Sequence, residues 1–404
     1  MSKELLARNG GPKSVERNFE WPVFDEQEIK AVEEVMRSGK WGSPNCQDKV
    51  GEFEQAFARY CGTKYAVSCV NGSVSLRIAL IASGIKPGDE VIVPPYTFIA
   101  TASTVIEANA VPVFVDICPD TFNMDPEKVE AAITPRTKAI VPVHFGGLAC
   151  DMDRLKEIAD RHGLALIEDA AHGHGAAYKG KKLGSIGKAG SFSFQSSKNM
   201  TSGEGGVVVT NDEEMYKMMA SLRNVGRMEG GQWYDHFNAG CNYRITQMQA
   251  VILTEQLKRL EEQTIIRHEN GRYLAQLLSG IEGIQPLKSD VGETLNCYHL
   301  FILRFDAAAF GIDRKEFVEL LAAEGVPCLM GYPHPLYKQP LFREKRFMCY
   351  AIPESVDYTN VSCPEAEKAC NTSVWILQNA LLGSRKDMED IAAAVRKIQA
   401  AVKA

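Results

Sequence analysis

The chain has 404 residues, enough for a sizeable core divided into two or three lobes. It is 45% hydrophobic and 24% charged with a formal net charge of −6, and its lysines and arginines are scattered, which argues against a nucleic-acid partner. No apolar run is long enough to span a bilayer, and the opening "MSKELLARNGGPKSVERNFEWP" lacks the apolar stretch of a signal peptide, so a cytoplasmic protein away from membranes is expected.

In chain order, residues 1–30 read as an extended arm, with a helix at "DEQEIKAVEEVMRSG". Seven short, largely β-branched runs then follow: 65–70, 90–94, 111–117, 138–145, 164–169, 190–195 and 206–211. Runs of this kind suit strands covered on both faces. Helical patterns alternate with the first five, such as "SVSLRIALIASG" closed by Gly84 and "DMDRLKEIADRHG" closed by Gly163. The alternation predicts an α/β fold with a mainly parallel sheet, forming a large domain over 31–260. From 261 to 404 the pattern becomes a smaller α+β domain, entered by a long helix from "ITQMQAVIL" and closed by "MEDIAAAVRKIQAAV". The eleven cysteines are odd in number and form no CxxC pair, so free buried thiols are expected.

Ligands of open parallel sheets bind beyond the carboxyl ends of the strands, so those ends carry the candidates. "NGSVSL" opens a helix after the first strand. Gly72 would let an anion approach the backbone and Ser73 adds a hydroxyl, although Asn and Ser are also ordinary helix caps. Phe98, after "PPYT", could stack on a planar ligand or simply pack in the core. Glu168 and Asp169 close the fifth strand. A carboxylate there needs a partner, either a protonated ring nitrogen or the next helix. His172 and His174 form HxH, but no further ligands stand at metal spacing, so no metal is expected.

Lys198 sits in "SFSFQSSKNMTSGEGG" among hydroxyls, and Gly203, Gly205 and Gly206 remove bulk so that another group can come close. A lysine held near a desolvated site loses basicity and becomes a nucleophile for a carbonyl. Phosphate cradle, aromatic, carboxylate and lysine together describe a pyridoxal phosphate pocket.

The ordered motifs "NGSVSL", "VIVPPYTFIATAST", "VPVFVDI", "IEDAAHGHGA", "SFSFQSSKNMTSGEGG" and "GCNYRITQMQAVIL" resemble the DegT/DnrJ/EryC1/StrS family over nearly the whole chain. The resemblance implies a three-layer fold type I pyridoxal 5′-phosphate transferase with a seven-stranded, mainly parallel sheet. It implies that Lys198 forms the internal aldimine, that Asp169 pairs with the pyridinium nitrogen, and that Phe98 lies against the ring. His172 would stand near the phenolic oxygen. Ser73, the Val74 amide and Ser193 would hold the phosphate, and Asn242 would reach the phosphate of the partner in a homodimer with shared active sites. Arg244 follows in the same motif, as a substrate or phosphate contact or a structural ion-pair partner. Tyr332, His334 and Tyr337, in "GYPHPLYKQPLF", are candidates for recognising substrate hydroxyls. Gln195 in "FSFQ" resembles the cyclitol branch, as does "VWILQNALLG". The implied reaction moves an amino group from glutamine or glutamate to a keto-cyclitol or keto-sugar. The alternatives are a lyase or dehydratase of the aminohydroxybenzoate synthase type, or an aminotransferase acting on a nucleotide-linked keto-sugar.

Overall fold

A computed structural model describes residues 5–44, 48–288 and 294–403. The seven expected strands are present as β1 (Tyr65–Cys69), β2 (Glu90–Val93), β3 (Val111–Phe114), β4 (Thr137–Ile140), β5 (Ala165–Asp169), β6 (Ala189–Ser193) and β7 (Gly206–Thr210). They form one sheet in the order β1-β7-β6-β5-β4-β2-β3. Strand β7 alone runs against its neighbours β1 and β6, and the other pairs are parallel. A second, antiparallel sheet is built from β8 (Ile284–Pro286), β9 (Leu300–Phe305), β10 (Cys328–Met330) and β11 (Ser373–Leu377), in the order β8-β9-β11-β10.

The helices used below are α1 (Glu26–Ser38), α2 (Lys49–Cys61), α3 (Gly72–Ala82), α4 (Ala100–Glu107), α5 (Met152–His162), α6 (Gln247–Leu278) and α7 (Arg385–Val402). The expected stops hold. Gly163 ends α5 at φ 64°, and Gly84 follows α3 at φ 90°, both in the left-handed region that glycine enters without a Cβ penalty. The domain limits of the sequence reading fall inside helices: residue 30 lies within α1, and residue 260 lies within the unbroken 32-residue α6. Helix α6 packs on α1 and α2 near its start and on α7 further along, where Tyr273 donates to Glu389 at 2.9 Å. The arm is tied down as well. Phe19 O accepts from Asn379 Nδ2 at 2.6 Å, and Val23 O accepts from Gln256 Nε2 at 2.8 Å.

Strand β11 shows how two cores meet. Successive side chains point to opposite faces. Val374 and Ile376 enter the core of the small sheet with Phe301 and Leu303, whereas Trp375 joins Tyr96 and Phe145 in the core of the large sheet. Among the described residues the cysteines are free, and no helix is long and apolar enough to cross a membrane.

Candidate active site

A cavity of about 720 Å³ opens at the carboxyl ends of the large sheet. Its lining includes Gly72 and Ser73 from α3, Thr97, Phe98 and Thr101 around α4, Asp169 and His172 at and after the end of β5, Ser193, Gln195, Ser197 and Lys198 at and after the end of β6, and Leu300, Trp375 and Gln378 from the small sheet and its margin. Parallel strands must all end on the same side, so residues more than a hundred positions apart converge here.

Lys198 opens on the cavity and is half-buried by solvent accessibility, yet protein surrounds it closely. That desolvation lowers its amine to about 8, opposed by the charge of Asp169. The amine is therefore a nucleophile near neutral pH. Asp169 is buried, and Thr101 Oγ1 donates to its Oδ2 at 2.8 Å while the Ala171 N–H donates to Oδ1 at 3.2 Å. Burial pushes its carboxyl up, countered by those hydrogen bonds and by Lys198. A carboxylate in this position calls for a cationic N–H partner.

The neighbouring Glu168 has a different job. Its Oε1 accepts from Ile186 N–H at 2.7 Å and Gly187 N–H at 2.6 Å, and its Oε2 accepts from Gly184 N–H at 2.7 Å and meets His144 Nε2 at 2.9 Å. This side chain pins the turn that leads into β6. The alternation of a strand thus separates the two acids, one to the cavity and one to the scaffold. The HxH pair divides likewise. His172 lines the cavity, and its Nδ1 accepts the Gly146 N–H at 3.2 Å, so the neutral ring carries its proton on Nε2. His172 is held neutral by burial, which lowers its pKa well below the ordinary value. His174 packs between Phe192 and Phe194 instead. No group of three potential metal ligands occurs among the described residues.

At the anion end, Gly72 lies so close to Ser193 that a Cβ would sit 2.6 Å from the serine Cβ. The Gly72 and Ser73 amides open α3 and have no i−4 carbonyl within it. The Val74 amide is otherwise engaged, donating to Asn71 Oδ1 at 2.9 Å. The cap that the sequence offered as an alternative is thus present and uses this donor, so the phosphate role drawn from resemblance does not describe Val74 in this structure. Phe98 is 57% exposed at the cavity, which rules out the core-packing alternative for its ring. The donor set therefore suits a flat, phosphorylated aldehyde: an anion end, an aromatic face, a reactive amine and a buried acid for a ring nitrogen.

Other sequence candidates are placed differently. Gln195 lines the cavity, but its Oε1 accepts from Ser197 N–H at 2.9 Å and its Nε2 donates to Ser196 Oγ at 2.7 Å, shaping the lysine loop. Tyr332 lines the cavity, in edge contact with Trp375. His334 is exposed and outside the lining. Tyr337 is also outside it: its hydroxyl donates to Glu367 at 2.6 Å and accepts from Cys363 N–H at 3.1 Å, so it is a satisfied core residue and not a substrate contact. Asn242 is exposed away from this cavity, and Arg244 Nη1 donates to Asn224 Oδ1 at 2.7 Å. The glycines after the lysine serve the chain itself. Gly203 turns at φ 83°, and a Cβ on Gly206 would lie 2.4 Å from Asn71 O, so the group they admit is protein backbone. Sequence reasoning missed Trp21, His299, Trp375 and Gln378 in the lining. The polar pair Gln378-Asn379 directly after an apolar strand was the available signal.

The model of the DegT/DnrJ/EryC1/StrS aminotransferase family matches residues 22–396. An L-glutamine:2-deoxy-scyllo-inosose aminotransferase of Streptomyces kanamyceticus is 39% identical, over 98% of this chain and 97% of its own. One with the same name from Streptoalloteichus tenebrarius is 38% identical, over 98% of each chain. Among solved structures, 3-amino-5-hydroxybenzoic acid synthase superposes with a TM-score of 0.87 at 33% identity, covering 97% of this chain and 100% of that one.

Proposed function

This chain belongs to the DegT/DnrJ/EryC1/StrS aminotransferase family and is a pyridoxal-phosphate-dependent aminotransferase, and from that premise we propose that it moves the amino group of L-glutamine to a keto-cyclitol. The observation that carries the chemistry is the desolvated amine of Lys198 facing the buried carboxyl of Asp169 across one cavity. The cyclitol is supported by the names of the relatives. It is also supported by the lining, where Lys198 is the one lysine or arginine among the described residues, so an acceptor without a diphosphate suits it.

Bound pyridoxal phosphate supplies an aldehyde for the amino group and a ring that accepts electrons from the substrate carbon. The chain supplies the rest. Lys198 Nζ would hold the cofactor between turnovers and, once released by the donor, would take the proton from the donor's α-carbon and deliver it to the carbon that had been the cofactor's aldehyde carbon. Asp169, fixed by Thr101, keeps a proton on the ring nitrogen. His172 would offer its Nε2 proton to the ring's oxygen. Ser73, Ser193 and the opening amides of α3 would hold the phosphate, and Phe98 would lie against the ring. Asn242 acts from a second copy of the chain, completing the phosphate site of a homodimer.

Two measurements test this reading. Protein loaded with pyridoxamine phosphate is offered 2-deoxy-scyllo-inosose, free keto-sugars and nucleotide-linked keto-sugars, and return of the visible cofactor absorption names the acceptor. The keto-cyclitol is expected to react fastest. A faster nucleotide-linked sugar, or an aromatic product formed with loss of water, overturns the assignment. For the dimer, Asn242→Ala is expected to weaken cofactor affinity about tenfold without changing the dimeric mass in sedimentation. A wild-type monomer with full cofactor affinity refutes the shared site.

A further inference from the structure

Arg267 is 0% exposed in the middle of α6. Burying a guanidinium costs several kcal/mol unless partners replace its water. Here the Nε and Nη2 donors both converge on Gln378 Oε1, at 3.0 and 2.6 Å, while Nη1 makes no hydrogen bond. The guanidinium carbon lies 5.4 Å from the centre of the Trp21 ring, and no ion pair to Arg267 occurs among the described residues. Trp21 is held in turn by its indole N–H, which donates to Ser196 O at 2.8 Å. A dehydrated cation without a counter-ion thus sits directly behind two residues of the cavity wall, Trp21 and Gln378.

The geometry fixes how Gln378 is turned. Two arginine N–H groups can meet only an acceptor, so the atom facing Arg267 is the carboxamide oxygen. The amide N–H2 is then the group that Gln378 can offer to the cavity it lines. Hydrogen bonds from a cation to the oxygen polarise the amide and strengthen its N–H donors. The wall therefore presents a donor backed by positive charge, on the small-sheet side of the cavity, whereas the phosphate end is built on α3 and β6.

We infer that Gln378, oriented and polarised by the buried Arg267, is the contact for the α-carboxylate of the amino donor. This rests on the aminotransferase reading above. Of the two substrates in that reading, the amino donor brings a carboxylate, and a keto-cyclitol is neutral. Gln378 touches the substrate, and Arg267 is a positioning residue that acts through it.

The test uses holoenzyme fixed by borohydride, which binds ligands without turning over. Calorimetric titration compares L-glutamine with L-glutaminamide, which lacks the carboxylate. Wild type is expected to prefer the acid by about tenfold or more, the range of a hydrogen bond to a charged group. Gln378→Leu is expected to bring the preference below about threefold. Gln378→Glu keeps an acceptor for Arg267, so it preserves the fold, and it is expected to bind L-glutamine more weakly than Gln378→Leu does. In pyridoxamine-loaded protein, affinity for the keto-cyclitol is expected to move less than about threefold in either variant. An undiminished preference for the acid in Gln378→Leu, wild-type affinity for L-glutamine in Gln378→Glu, or a larger loss for the neutral acceptor overturns the inference. If wild type is converted by another amino acid and not by L-glutamine, the donor assignment fails separately, and that acid and its amide become the titrants.

Discussion

Lys198→Ala is expected to lower turnover by about 10⁴-fold or more, because it removes both the covalent anchor and the proton carrier. Borohydride treatment followed by mass spectrometry of the peptide containing residue 198 checks the anchor, and wild-type turnover in the variant refutes the assignment. The same substitution has an opposite effect on stability. In cofactor-free protein the amine titrates at about 8 rather than at its ordinary 10.5, so the unfolded chain holds more protons than the folded one between about pH 8 and 10.5. Wild type is therefore penalised fully below pH 8, by up to roughly 3 kcal/mol and less to the extent that cavity water solvates the amine. The penalty fades as pH rises through 10.5. Denaturant midpoints should thus favour Lys198→Ala at pH 7 and converge near pH 10.5. Parallel profiles for the two proteins would show that the amine is not desolvated.

The adjacent acids give the second large effect, in opposite directions. Asp169→Ala is expected to lose about 10²–10⁴ in turnover and to release cofactor on dialysis, with the midpoint of the cofactor-free protein unchanged or raised. Its charged form is already disfavoured by burial, so removing it costs little structure. Glu168→Leu should do the reverse. It strands the three N–H donors of Gly184, Ile186 and Gly187 and the His144 ring, with a loss of roughly 3–5 kcal/mol, while each molecule that folds turns over within a few fold of wild type. If the two variants exchange these phenotypes, the roles of the two acids are exchanged too.

Much of the large sheet is legible because strands covered on both faces must be written as apolar, β-branched runs, and the strand ends then point to the cavity. What was not legible depends on partners distant in sequence. The resemblance singles out Asp169, but the sequence cannot say which of two adjacent acids meets three backbone amides. Tyr337 reads as a substrate hydroxyl until Glu367 and Cys363 are seen to occupy it. The Val74 amide reads as a free donor until Asn71 takes it. Trp21 and Gln378 reach the cavity through the arm and the end of β11; Trp21 carries no local pattern, and Gln378 is marked only by the polar pair that follows an apolar strand. The limit at residue 260 has a different character: a change of composition marks the entry to a new lobe, while α6 passes through it without a break.

The fully enclosed Arg267 has one more consequence, for how this wall can drift under mutation. Any side chain that replaces Gln378 must still offer an oxygen or a ring nitrogen to two guanidinium donors, or the arginine is left stranded. Replacing Arg267 first leaves a carboxamide with nothing to fix which end faces inward. Positions 267 and 378 are therefore epistatic: a single exchange that removes the arginine or its acceptor is penalised in either order, and the combined effect departs from the sum of the two. A library that seeks a new donor at this wall has to vary both codons at once.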